Sequence, residues 1–126
     1  MLTPIPRRIL RDTMTLYVPT SFDRYQKPVN TVYTVRNVHC QSDNRTVKSQ
    51  LNDEVTLSGT VFVDARYSLP KLDYDALQEA AQAAGGTMTC TITNKAGRTS
   101  QMYTIQIVDA LPDDEDNLHH YELGVV

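Results

Sequence analysis

Residues 13–18 read Thr13-Met14-Thr15-Leu16-Tyr17-Val18, with Met14, Leu16 and Val18 on one face and Thr13, Thr15 and Tyr17 on the other. A strict period of two is the signature of a strand with one buried face. The same period returns at Thr87 to Thr93, where Met88, Cys90 and Ile92 alternate with threonines. From Gln101 to Asp109, Tyr103, Ile105 and Ile107 share a face, and from Leu118 to Val126 Tyr121, Leu123 and Val125 do so. Glu54 to Tyr67 aligns Leu57, Gly59, Val61, Val63 and Ala65, with Gly59 reading as a bulge or bend. Val29 to Cys40 is rich in Val, Tyr and Thr and reads as a long strand.

Between these runs the chain is punctuated by turn chemistry. Pro19 is expected to end the first strand, leaving a polar loop to Pro28. Gln41 to Asp53 is polar and charged, with only Val47 and Leu51 apolar, and reads as a projecting loop or an irregular hairpin. Asn94-Lys95-Ala96-Gly97 is a hairpin turn, with Gly97 free to take positive φ. Pro112 to Asn117 is an acidic loop.

The period changes once. Asp73 to Ala84 predicts a helix with Asp73 as N-cap, Gly85 as the left-handed residue beyond its end, and Leu77, Ala80, Ala81 and Ala84 as its apolar stripe. Leu72 and Leu77 stand at staple spacing. The expected fold is therefore mainly β: a small barrel or sandwich of about six to seven strands, with one short helix over 73–84 and long polar loops. A chain of 126 residues suits one domain, 1–126, led by an arm over 1–12 that carries Pro4 and Pro6 and then Arg7, Arg8 and Arg11.

Charge narrows the function. With 12 basic and 15 acidic residues the net charge is −3, which disfavours a broad phosphate-gripping face. Cys40 and Cys90 sit in strand-like runs and read as two half-buried free thiols of a reducing compartment. The basic N-terminus is not followed by the apolar run of a secretory signal, and no segment reaches the length of a membrane span.

Catalytic and metal chemistry is sparse. His39 beside Cys40, with His119 and His120, offers zinc-type donors, but tandem histidines on a regular strand point to opposite faces. There is no Cys-x-x-Cys, Gly-x-Ser-x-Gly, Walker loop or Gly-x-Gly-x-x-Gly. Asp113, Asp114, Glu115 and Asp116 are consecutive acids on a loop, a setting that keeps carboxylates ionised rather than poised as acids. No catalytic residue, metal or cofactor is expected. An oligonucleotide-binding barrel is the rival reading, with Tyr17, Tyr25, Tyr33, Tyr67 and Tyr103 as aromatics but scattered basic residues.

The ends of the chain carry a resemblance. Pro4-Ile5-Pro6, Leu10 and Thr13-Met14-Thr15-Leu16-Tyr17 resemble the start of the phage minor capsid protein family of siphophages and prophages. Leu118-His119-His120-Tyr121-Glu122-Leu123-Gly124-Val125-Val126 resembles that family's ending more closely. Tyr25-Gln26-Lys27-Pro28 falls where members carry a short polar turn, Asn37-Val38-His39 begins the segment that follows the second strand, and Phe62-Val63-Asp64-Ala65 resembles the central strand, whereas the 73–84 helix is longer than many members carry.

The resemblance implies a structural virion protein, a stopper-like head–tail connector. It would form a homo-oligomeric ring below the portal and adaptor, retain DNA without sequence-specific binding and offer the tail a platform. Its place would be the head–tail interface of the virion, after assembly in the host cytoplasm. By the same resemblance the 41–53 stretch, with Asn44, Arg45, Lys48, Gln50, Asn52 and Asp53, would line or plug the channel. Charge segregation suggests either contacts across subunits between the basic arm (Arg7, Arg8, Arg11) and the acidic loop (Asp113, Asp114, Glu115, Asp116) or an acidic loop that lines the channel and repels DNA, with His120 and Glu122 on a subunit edge. A tail terminator, which also forms a ring at this junction, is the nearest alternative.

Overall fold

The computed structural model describes residues 9–48, 54–113, 115 and 117–126, and for 43–48 and 54–55 the backbone alone. Its elements are β1 (Asp12–Phe22), β2 (Pro28–Lys48), β3 (Glu54–Asp64), α1 (Tyr74–Ala83), β4 (Thr89–Thr93), β5 (Tyr103–Pro112) and β6 (Leu118–Val125). The six strands close into an antiparallel barrel in the order β1-β2-β3-β6-β5-β4. It consists of two three-stranded meanders, β1–β2–β3 and β4–β5–β6, joined through the helix and sealed along β3–β6 and β1–β4. The β4–β5 seam is the shortest, with only Thr89↔Thr104 and Cys90↔Tyr103 paired. There α1 packs against β1 and β5, the two strands that flank β4.

The alternating positions fill the barrel as expected. Met14, Leu16, Val61, Cys90, Leu123 and Val125 are fully buried, and Val18, Leu57, Val63, Met88 and Tyr121 are also buried. On β5 the alternation breaks. A register shift between Ile105 and Ile107 leaves Ile105 and Val108 as the buried pair, so Ile107 is only half-buried. One extra residue on a strand reverses the facing of everything beyond it.

Three expected boundaries are corrected. Pro19 does not end β1, which continues to Phe22. Pro19 lies beyond the last β1–β4 pair, Tyr17↔Thr89, and at a register shift with β2, a free-sided position where a missing amide costs no ladder bond. The loop expected from 20 to 28 is therefore only the turn 23–27. Its Asp23 carboxylate accepts from the amides of Tyr25 (2.8 Å) and Lys27 (2.9 Å).

Gln41 to Lys48 is likewise strand rather than loop, paired with β3 as far as Lys48↔Glu54. The irregular-hairpin reading is the one that fits. Its irregularity is a register shift between Ser42 and Arg45, opposite Gly59. A Cβ on Gly59 would stand 2.9 Å from the Gln41 carbonyl oxygen, so the bend needs glycine.

The third strand stops at Asp64 instead of Tyr67 because Asp64 turns the chain. Its carboxylate accepts from the amides of Arg66 (2.8 Å) and Tyr67 (2.9 Å), while its own amide donates to the Ser68 hydroxyl at 2.9 Å. Ser68 donates in turn to the carbonyl of Asn37, which sits at φ 61°.

The helix forms where expected, with the Asp73 carboxylate accepting from the Ala76 amide at 3.2 Å. Its end is a Schellman turn: Gly85, at φ 85°, donates to Gln82 O, and Gly86 donates to Ala81 O. The buried face differs from the alanine stripe. Tyr74, Gln78 and Ala81 are buried, Leu77 and Ala84 are half-buried, and Ala80 is exposed. A tyrosine ring removes far more apolar area from water than a methyl, so Tyr74 sets the helix's rotation on the barrel.

Candidate functional site

The length of β2 positions everything that projects from this barrel. Its 21 residues exceed what the barrel uses. The pairing of β2 changes hands at Val38, which faces Asp12 of β1 on one side and Val63 of β3 on the other. Beyond the last β1–β4 pair, Tyr17↔Thr89, β1 and β2 run on as one two-stranded arm; beyond the last β3–β6 pair, β2 and β3 run on as another.

The β2–β3 arm leaves the barrel at Gly59↔Val125, the last β3–β6 pair. From Ser42 to Lys48 it reaches roughly 20 Å at the usual rise per residue. Asn44, Arg45 and Lys48 therefore stand on a strand of this arm. Gln50, Asn52 and Asp53 lie outside the described residues, as do Arg7, Arg8, Asp114 and Asp116.

The β1–β2 arm carries Arg24 stacked over the Tyr25 ring at 4.9 Å. Along this arm and on to Val35 the outer edge of β2 has no partner strand among the described residues, until the bridge Arg36↔Leu69. Val29 (48%) and Val32 (54%) are exposed on it, as is Leu69 (52%) beside it. This apolar edge was hidden in the sequence, because Val29 and Val32 read as ordinary residues of a sheet strand.

Among the residues singled out from the sequence, Arg11 and Glu115 are exposed. Asp113 is committed to its own turn, its carboxylate accepting from the amides of Glu115 (2.8 Å) and Asn117 (3.0 Å). His120 Nε2 stands 3.5 Å from Glu122 Oε2.

The facing of the tandem histidines is corrected. His119 Nδ1 and His120 Nδ1 lie 2.7 Å apart, because a register shift opposite Leu111 and Pro112 makes His119 the extra residue and brings both rings together. Phe62 lies between His39 (ring centroids 5.9 Å apart) and His120 (6.1 Å), so the three histidines share the β2–β3–β6 face. Among the described residues no group of three or more His, Cys, Asp or Glu is arranged to hold a metal ion.

Hollows open on the barrel's surface among the described residues. A cleft of about 100 Å³ lies between β3 and α1, lined by Asp64, Ser68, Tyr74 and Tyr121 among others. That is below the roughly 300 Å³ at which small-molecule sites begin. A wider, open hollow of about 440 Å³ is bounded by Ile9, Arg11, Asp12 and His39.

The helix side is acidic. The exposed Asp75 carboxyl is held above its usual range, first by partial burial and then by the fields of Asp73, Glu79 and Asp109. Cys40 and Cys90 are both free thiols, and burial, with a smaller contribution from Cys40, pushes Cys90 up to about 12.

Compared with family models, curated proteins and solved structures, the chain has no significant match in any of the three. No helix of the described residues is long and apolar enough to cross a membrane.

Proposed function

We propose that this chain is a structural component of a ring at a phage head–tail junction, stopper-like in role, working by assembly rather than by bond-making chemistry. The observation that carries the reading is the pair of arms built on β2. A closed barrel supplies a rigid body, and the two-stranded extensions reach past it to neighbouring copies and to a central channel. In this reading the β2–β3 arm, with Asn44, Arg45 and Lys48 on its strand, faces the channel, and its polar character suits a surface that DNA passes without adhering. The residues quoted for the family resemblance support the reading from the sequence side, since Leu118 to Val125 form the strand that closes the barrel.

Reconstitution tests the proposal. Purified chain, mixed separately with portal rings and with tail-tube protein from the same phage, is expected to bind the portal side and cap it with a ring. Binding to the tail tube alone would reassign it as a tail terminator. Binding to neither would remove the junction reading.

A further inference from the structure

Resting on the assembly reading, we propose that copies of this chain join head to tail, the open β2 edge and basic tip of the β1–β2 arm of one copy docking on the acidic face formed by α1 and β5 of the next.

The first surface is a β2 edge that is open among the described residues. Edge strands present unpaired amides and carbonyls, and proteins that stay monomeric blunt them with charges, bulges or covering segments. From Pro28 to Val35 no strand of the described residues lies on the outer side of β2, and Val29 and Val32 are about half exposed at 48% and 54%. The tip beside them is positive. Arg24 and Lys27 are exposed there against one acid, Asp23, whose carboxylate is turned onto the Tyr25 and Lys27 amides, which leaves the tip a net positive charge.

The second surface is the helix side. Asp75 and Glu79 are exposed one helical turn apart on α1, Asp73 is exposed at its N-cap, and α1 packs against β5, on which Asp109 is exposed. The charges of Asp73, Glu79 and Asp109 all act on Asp75. Like charges held together are relieved when cations arrive.

The two surfaces choose their occupant between them. Nucleic-acid phosphates would suit the basic tip but be repelled by the acidic face. A cationic partner would suit the face but not the tip. A second copy of this chain satisfies both at once, because it brings each surface to the other's complement. Such a contact uses two different patches, so it propagates and closes into a ring where the rotation allows.

The test is a charge-swap mixing experiment on the full chain by sedimentation velocity. In about 50 mM salt, from roughly 10 µM to 1 mM, the wild type is expected to rise above monomer mass with concentration and to fall back in about 0.5 M salt. Arg24→Glu/Lys27→Glu and Asp75→Lys/Glu79→Lys are each expected to remain at the monomer mass of 14.2 kDa. An equimolar mixture of the two is expected to regain association, since each reversed surface meets its complement. Far-UV circular dichroism checks that the variants fold, and glutamine versions replace any that do not. A wild type that is monomeric throughout, variants that associate like wild type, or a mixture that stays monomeric overturns the proposal. If association and rescue occur but the chain binds neither portal nor tail tube, the contact stands and the junction reading fails. If the chain caps the portal but mixing restores nothing, only this contact fails.

Discussion

The ring of Tyr74, at the start of α1, meets the ring of Tyr121 on β6 edge-on, with centroids 4.9 Å apart and planes at 66°. This contact fastens the helix to the strand that closes the barrel. The Tyr74 ring is buried to 1% exposure, yet its hydroxyl has no hydrogen-bond partner among the described residues.

Removing that hydroxyl is therefore expected to help. Tyr74→Phe should leave stability unchanged or raise it by about 1 kcal/mol, because a buried unsatisfied polar group is costly. Tyr74→Ala should cost about 3–5 kcal/mol, the usual loss for a buried aromatic. Urea unfolding of both variants checks the pair; a Phe variant as damaged as the Ala variant would refute the assignment.

Alkaline pH should destabilise the barrel before neutral pH does. Burial, and then the nearby Cys40, raises Cys90 from 9.0 to about 12. Tyr74 is raised by burial and by Tyr121, and Tyr121 by burial and by Asp73 and Asp75. Each group holds its proton more tightly folded than unfolded, so its contribution is complete below the unfolded pKa and drains away as pH rises towards the folded one. Tm is expected to be flat to about pH 8.5 and to fall by several degrees by about pH 10.5. Cys90→Ala should shallow that slope, and an unchanged slope would remove Cys90 from the account.

The same burial sets thiol reactivity. At pH 8 the thiolate is the reacting species, so Cys90 should stay unalkylated until the protein unfolds. Mass spectrometry after brief iodoacetamide treatment should place any fast label on half-buried Cys40 alone.

Gly59→Ala tests the bend from which the β2–β3 arm springs. The added Cβ would lie 2.9 Å from the Gln41 carbonyl oxygen, a backbone atom that cannot rotate aside. A loss of about 1–3 kcal/mol is expected, as for other overpacked sites. A neutral result would mean that the strands part there without strain.

Much of the barrel was legible because period-two alternation directly reports which residues face inward: Met14, Leu16, Cys90, Leu123 and Val125 are all buried as read. The failures share one cause. Alternation carries no signal for a bulge, so the switch from Ile107 to Val108 and the meeting of His119 with His120 were invisible in one dimension. The helix was found through Asp73 and Gly85, but its rotation was not, because Ala80 and Tyr74 compete for the core and only packing decides between them. The β1–β2 arm was missed for another reason: polarity made 20–28 look like a loop, whereas a two-stranded arm in solvent is polar too, and the same polarity left loop and irregular hairpin both open at 41–48. The open edge at Val29 and Val32 depends on where β3 stops pairing, which no local pattern encodes.

Electron microscopy of particles made without its gene tests whether this barrel serves as a junction component. Tailless heads that leak DNA are expected, restored to full virions when the intact chain is supplied in trans. Normal tailed, DNA-filled particles in its absence would contradict that role.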